Sequence, residues 1–280
     1  MVRITRKEEL LPELEVKQKI DEIEAMYKEM MGAQTAFSAL IMGIQGVGKS
    51  TFCCTGRLPI LLDVFDPRGT LFVHANPELK QLYEEKKILI RPFWNEDSQN
   101  PTEYQRWYEQ WQDDCKNNFL SLFGTYVIDS GTTMIEAMTN YVRKRKSRGD
   151  NLQVQDYLPL YNTVMDIVKI TSSQGCDFLY TGHLLTVQDE VTGEVKAELD
   201  TYSRLRSKVP KLFSEKYVLM KKKTPSGPQH VLLTHSTGRY EASSQLASSG
   251  KIPAEVEPNL KKLLELVGLP TEDKPMEWSE

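Results

Sequence analysis

Residues 43–51 read GIQGVGKST, directly after the apolar run FSALIM at 37–42. Gly43, Gly48, Lys49 and Ser50 fit the pattern G-x-x-x-x-G-K-[ST], with a further glycine at Gly46. Such a stretch serves anion binding. Its glycines let the backbone fold back so that several N–H groups point at one phosphate chain. A helix starting near Lys49 turns the positive end of its dipole toward the same place. Lys49 then reaches the β- and γ-phosphates, and the Ser50 hydroxyl becomes a Mg²⁺ ligand. The preceding run reads as a strand and KSTFCCTG tolerates a helix, the context that separates a phosphate loop from a plain glycine-rich turn. The predicted nucleotide contacts are Gly43, Gly46, Val47, Gly48, Lys49, Ser50 and Thr51.

Outward from this loop, composition sets bounds. The chain has 280 residues, enough for one large domain or two small ones. Its 35 Lys and Arg against 39 Asp and Glu give a net charge of −4. The surface as a whole therefore does not attract nucleic acid, and any such site is a local patch. Cys53, Cys54, Cys115 and Cys176 have no metal-ligand spacing and read as free thiols of a reducing compartment. The N-terminal MVRITRKEELLPELE lacks the apolar core of a signal peptide. No apolar run approaches the ~20 residues that span a bilayer. The expectation is a cytoplasmic protein with no membrane association.

Three segments are expected: a helical one over 1–33, a core over 34–240, and a C-terminal helix with an acidic tail over 241–280. In the first, apolar residues at helical spacing over 6–31 predict an amphipathic helix broken near Pro12. The core alternates. Strands are expected at 37–42, 59–65, 88–94, 125–129 and 177–182, and helices after the phosphate loop and at 102–121, 134–145 and 156–173. Near-continuous apolar strands alternating with helices imply an α/β sandwich around a mostly parallel sheet. Trp107, Trp111 and Phe119 share part of one helical face and read as core. After 183 a ribbon turning at Thr192-Gly193 and an antiparallel pair, EKYVLMKKK with QHVLLTHS, form a late antiparallel extension. MKKKT (220–224) reads as a charged guard on an edge strand. A last helix is expected at 257–267, and TEDKPMEWSE as a mobile tail.

An NTPase that hydrolyses needs a carboxylate near Mg²⁺ and a group that orients water. Asp129 ends the apolar strand TYVID, the place for the first. Asp63 and Asp66 in LLDVFDPRG lie at the same carboxyl edge of the sheet, where ligands bind in open α/β folds. Either one suits the second role, and Asp66 also suits a simple turn. His183 in YTGH follows the fifth strand, within reach of a γ-phosphate.

GIQGVGKST, a strand ending in Asp, YVIDS and YTGH, in this order, resemble the RecA-like P-loop ATPase core. ILLDVFDPRGT, the helix after YVIDS, and RSKVPKLF with GRYEASSQL resemble phage-encoded AAA-type ATPases, among them the fourth Sak family of single-strand annealing proteins. The resemblance covers roughly residues 35–268. It implies an ATPase of phage DNA recombination or annealing that uses ATP and Mg²⁺, acts on single-stranded DNA beside a single-strand binding protein, and forms homo-oligomers. It assigns Lys49 and Ser50 to phosphate and Mg²⁺, Asp129 to the metal and His183 to sensing the γ-phosphate. One departure stands out: RecA-type recombinases carry a catalytic Glu two residues after the strand-ending Asp, where this chain has Phe65.

The expected DNA-binding cations are Arg143, Lys144, Arg145, Lys146 and Arg148 in VRKRKSRG, and Arg204, Arg206, Lys208 and Lys211 in SRLRSKVPK. Tyr141 and Tyr202 flank these patches as stacking candidates. Arg239, in STGRYEA, is a candidate finger onto a neighbouring subunit's nucleotide. Two alternatives stay open: a nucleotide-switched loader or binding module with little turnover, and an oligomeric DNA motor.

Overall fold

The computed structural model describes residues 13–33, 36–94, 97–145, 152–188, 193–225 and 227–276. The chain divides into two units, Met1–Thr35 and Ala36–Glu280. In the first, helix α1 (Glu13–Ala33) carries Val16, Ile20, Ile23 and Met26, all exposed, at intervals of three and four residues. The expected helix start and its break near Pro12 lie outside the described residues.

The second unit begins with β1 (Ser38–Met42), α2 (Lys49–Cys53), β2 (Ile60–Val64), α3 (Leu71–Ala75), α4 (Pro77–Glu84) and β3 (Ile88–Pro92). It continues through α5 (Glu103–Lys116), β4 (Thr125–Asp129), α6 (Gly131–Arg145), α7 (Val154–Ser172) and β5 (Asp177–Gly182). A ribbon of β6 (Leu184–Gln188) and β7 (Val195–Leu199) precedes α8 (Ser203–Lys208), β8 (Glu215–Thr224) and β9 (Gly227–Leu233). The short strands β10 (Ser243–Ser244) and β11 (Glu255–Val256) and the helix α9 (Leu260–Val267) complete it.

The main sheet runs β11-β9-β8-β1-β5-β4-β2-β3, with β10 on β8. From β8 to β3 every neighbouring pair is parallel. The pairs β8–β9, β9–β11 and β8–β10 are antiparallel. The fold is therefore the expected one, a mostly parallel mixed sheet flanked by helices with an antiparallel part. Strand alternation divides the core. Leu40, Met42, Leu61, Tyr126, Ile128, Phe178 and Tyr180 face α5, α6, α7 and α8. Ala39, Ile41, Ile60, Leu62, Val127 and Leu179 face α2, α3, α4 and α9. Both faces are covered, so these strands read as unbroken apolar runs.

Several expectations need correction. The helix expected over 102–121 stops at Lys116. Trp107 and Trp111 are core, but Phe119 lies in a 3₁₀ turn and is exposed. α3 and α4 were not expected, although Asn76-Pro77 is a helix start: the Asn76 side chain accepts the Glu78 N–H at 3.0 Å. β8 lies between β1 and β9 in the sheet order, but β1 reaches only Glu215–Val218. From Leu219 to Thr224, among the described residues, β8 pairs with β9 alone. MKKKT therefore does sit on a one-sided stretch, where Lys221 donates to the Gly46 carbonyl and Lys222 pairs with Glu255. The tail is tied down at Asp273 and Lys274. The Leu58 N–H donates to Asp273 at 2.6 Å, and Lys274 Nζ donates to the carbonyls of Ser121 and Gly175. The last four residues lie outside the described residues. α9 buries Leu260, Leu263 and Leu264 in the same core as the phosphate-loop helix.

Candidate nucleotide site

The sheet order sets the geometry of the site. β5 lies between β1, which feeds the phosphate loop, and β4, which ends in Asp129. Their carboxyl ends, with that of β2, open on one cleft of about 370 Å³. The phosphate-loop residues Gln45, Gly46, Gly48, Lys49, Ser50 and Thr51 line it, as do Asp66 to Gly69, Leu71, Phe72, Asp129 and His183.

Local backbone chemistry fixes the loop. Gly46 and Gly48 have φ of 71° and 101°, which only glycine adopts without strain. A Cβ on Gly43 would meet Val47 Cγ1 at 2.7 Å and the Leu219 carbonyl at 2.8 Å, so a side chain there would collide with β8. Val47 is buried in the core, and its carbonyl accepts from His230 Nδ1 at 2.7 Å. Lys221 Nζ donates to the Gly46 carbonyl at 3.1 Å. The β8–β9 pair therefore buttresses the loop from outside.

Inside the cleft, Lys49 is 6% exposed, and Nζ donates to the carbonyls of Gly43 at 3.0 Å and Ile44 at 3.2 Å. Burial holds this ammonium below its usual range, against the opposing pull of Asp129 and Asp66. Ser50 Oγ donates to Asp129 Oδ2 at 2.5 Å, and Thr181 Oγ1 to Asp129 Oδ1 at 2.6 Å. Burial raises the Asp129 carboxyl above its usual range, against those two hydroxyls. Hard oxygen donors paired this way fit Mg²⁺.

Asp66 accepts from Ser130 Oγ at 2.9 Å and from Thr133 Oγ1, and lies 3.2 Å from His183 Nε2. Burial alone would raise its pKa, but the bonds from His183, Thr133 and Ser130 bring it down to about 2. His183 Nδ1 lies 3.4 Å from Lys49 Nζ, so the ring bridges the loop lysine and Asp66. Since Lys49 can only donate, Nδ1 accepts and Nε2–H donates to Asp66. The His183 N–H is held by Thr132 Oγ1 at 3.1 Å.

The structure separates the two carboxylates at the carboxyl end of β2, Asp63 within the strand and Asp66 in the turn after it. Asp63 is fully buried, and it accepts from Arg91 at 2.6 and 2.8 Å, Trp107 Nε1 at 2.8 Å and Tyr126 at 2.5 Å. It pairs across the β2–β3 ladder in register with Arg91. Asp63 shares the α5-facing side of β2 with Leu61, so it is a core ion-pair member and is corrected from its expected place at the cleft. The signal was present in the sequence: ILLDV and ILIRP each carry one charge, of opposite sign, at the fourth position. The hydroxyls of Thr181, Ser130, Thr132 and Thr133, together with Lys221 and His230, were not foreseen at the site.

The expected DNA cations divide. Arg143, Lys144 and Arg145 are exposed at the end of α6, with Lys144 on Asn100 and Arg145 over the Tyr141 ring. Lys146 and Arg148 lie outside the described residues. Arg204, Lys208 and Lys211 are exposed, but Arg206 pairs with Glu198 at 3.4 Å and the Thr201 carbonyl at 3.1 Å. Tyr202 packs between Tyr157 and Tyr161 and donates to Thr139 on α6 at 3.2 Å, and Tyr141 packs on Tyr104. Both rings are partners within the fold rather than free stacking platforms. Arg239 lies by Thr186 and over Tyr240, away from the cleft lining. Among the described residues no helix is long and apolar enough to cross a membrane.

A family model for the AAA domain matches residues 35–245. No curated protein matches the chain. Among solved structures, the flagellar accessory protein FlaH of Methanocaldococcus jannaschii is similar with a TM-score of 0.43 and 10% identity, over 75% of this chain and 82% of that one. A KaiC-like protein of Pyrococcus horikoshii OT3 is similar with a TM-score of 0.36 and 17% identity, over 70% of this chain and 77% of that one.

Proposed function

The chain belongs to the AAA domain family, and on that footing we propose that it binds ATP with Mg²⁺ in this cleft, hydrolyses it, and acts on single-stranded DNA. The observation that carries the reading is the convergence of Lys49, Ser50, Asp66, Asp129 and His183 on one cleft from four separate segments of the chain. Lys49 exchanges its two carbonyl partners for the phosphate oxygens of the nucleotide. Ser50 and Asp129 hold Mg²⁺, which when bound neutralises phosphate charge. Asp66 orients the attacking water, and His183 ties that carboxylate to Lys49, so that loss of the γ-phosphate is felt at β6. The finer reading is phage DNA recombination or annealing in the cytoplasm, as a homo-oligomer beside a single-strand binding protein. Support for it comes from the motifs that resemble the fourth Sak family and from the exposed cations at the end of α6. The test is an ATPase assay titrated with single-stranded DNA, duplex DNA and no DNA. Stimulation by single strands alone supports the reading, and equal rates in all three conditions sink the DNA part.

A second reading rests on Asp66. A carboxylate with a pKa of about 2 and three donors already on it orients water well but accepts a proton poorly. That favours slow turnover, as in a nucleotide-switched binding module. Single-turnover hydrolysis with and without single-stranded DNA separates the two.

A further inference from the structure

We propose that Arg68 is a nucleotide-contacting residue that selects the triphosphate, closing on the terminal phosphate from the turn that starts at Asp66. The proposal rests on the reading of the cleft as an ATP site.

Three observations carry it. First, Arg68 lines the cleft with the phosphate loop, on the turn that starts at Asp66. The Gly69 N–H donates to the Asp66 carbonyl at 3.0 Å, so Asp66 and Arg68 are the first and third residues of one tight turn. Second, Arg68 has φ of 54°. A positive φ at the third position of a turn is ordinarily left to glycine or asparagine. Among the described residues two other non-glycine residues share this conformation, Lys86 and Asn118. Each of those directly follows the last capped residue of a helix, where the left-handed conformation terminates the helix. Arg68 terminates no helix: the turn takes the positive φ, and an arginine fills a position that ordinarily falls to glycine or asparagine. Strain of this sort collects where a side chain is held for a task. Third, the Arg68 side chain is exposed, and its guanidinium makes no hydrogen bond or ion pair with any described residue. The other charged groups at the inner wall, Lys49, Asp66 and Asp129, are all engaged.

A guanidinium without a partner among the described residues, on the lining of the same cleft as a phosphate cradle, is suited to bidentate contact with phosphate oxygens. Its turn also carries the carboxylate that orients water. A nucleotide reached by Arg68 therefore has its terminal phosphate and its attacking water organised by a single rigid turn. A diphosphate lacks the group that Arg68 would hold, so the interaction separates ATP from ADP.

The experiment compares wild type with Arg68→Gly and Arg68→Ala, measuring melting temperature, affinity for a non-hydrolysable ATP analogue and for ADP, and kcat and KM for ATP. A purely structural arginine would lower the melting temperature when removed. The proposal predicts the opposite for Arg68→Gly: the melting temperature holds or rises, because glycine relieves the left-handed backbone. Affinity for the analogue should fall about tenfold relative to ADP, the worth of one charge-assisted hydrogen bond, and kcat should fall with it. Arg68→Ala should give the same nucleotide effects without the gain in melting temperature. If both variants keep the wild-type ratio of triphosphate to diphosphate affinity, the proposal is overturned while the ATP site stands. If wild type binds neither nucleotide, the reading of the cleft falls, and this proposal with it.

Discussion

Ser50 Oγ lies 2.5 Å from Asp129 Oδ2, although 79 residues separate them in the chain. The pair forms only when β1 and β4 are both in place, one strand apart, with their carboxyl ends level. Asp129→Asn should lower Mg²⁺-dependent ATP turnover by about 10–100-fold, because the carboxylate that holds the metal is lost. Nucleotide binding should weaken less. Steady-state assays across a Mg²⁺ series check this, and unchanged turnover at limiting Mg²⁺ would remove Asp129 from the site.

Lys49→Ala should abolish ATP binding and leave the fold intact. The ammonium is buried at some desolvation cost and, in the absence of phosphate, is satisfied by two loop carbonyls. Its loss exposes no core. Calorimetric titration with ATP, beside circular dichroism, is the measurement. Wild-type affinity in the variant would end the phosphate-loop assignment.

Asp63→Asn and Asp66→Asn should fail in different ways. Asp63 is the buried partner of Arg91, and uncoupling it should cost about 3 kcal/mol of stability, at the low end for such pairs because Asp114 still holds Arg91. Asp66→Asn should depress turnover and lower the urea midpoint only modestly, by the stability that the bonds from Ser130, Thr133 and His183 supply. Urea melts and ATPase rates on both variants decide this; a catalytic loss in Asp63→Asn without a loss of stability would reverse the assignment.

How legible this division was depends on parity. The phosphate loop, the strand ending in Asp129 and the alternation of strands with helices could all be read, because each is a local pattern of glycine, apolar run and terminal acid. Asp63 and Asp66 are not separated by position, because both lie within three residues of a strand's end. The one sequence cue is the matched opposite charges of ILLDV and ILIRP, which means something only once β2 and β3 are known to pair. What separates them is that Asp63 sits on the face of β2 that meets Trp107 from α5 and Arg91 from β3, whereas Asp66 lies past the strand in the turn. The buttress of Lys221 and His230 was invisible for a related reason. Nothing local in MKKKT or QHVLL says that β8 lies against β1 and brings two side chains to a loop some 175 residues earlier. The hydroxyls around Asp66 and Asp129 stood next to recognised motifs, but Ser and Thr are too common for their presence to mark a site.

Acid should probe Asp66 directly. Its carboxyl titrates at about 2 in the fold against an ordinary 3.8. A depressed folded pKa contributes stability that is complete above the ordinary value and is lost as pH falls from 3.8 toward 2. The stability difference between wild type and Asp66→Asn should therefore narrow over that interval and stay flat above about pH 5. Urea melts in a pH series read it. A difference that widens with acid would contradict the bonding seen around Asp66.

Reversing Arg143 and Arg145 to Glu should weaken single-stranded DNA binding equally for all sequences. It should also flatten the salt dependence by about 0.7 in log–log slope for each phosphate that is no longer neutralised. His183→Ala should keep basal DNA binding but lose the tightening by ATP, expected at about 5–150-fold. Affinity across a salt series, with and without a non-hydrolysable ATP analogue, tests both. Wild-type protein with no salt-dependent binding in either state would leave the protein-binding switch as the better account.

The strand that feeds the phosphate loop has a consequence for how the molecule is made. β1 pairs with residues 178–182 on one side and 215–218 on the other. On the ribosome its apolar run therefore emerges with neither neighbour, and waits about 10–35 s at ordinary elongation rates before the second has been synthesised. During that interval Ala39, Leu40 and Ile41 need shelter from other chains, whether from a chaperone or from provisional collapse onto the helices already made. A nucleotide cannot shorten the wait, because elongation alone sets it, and Lys221 and His230, which brace the loop, are made later still. It can only lock a sheet that is already complete.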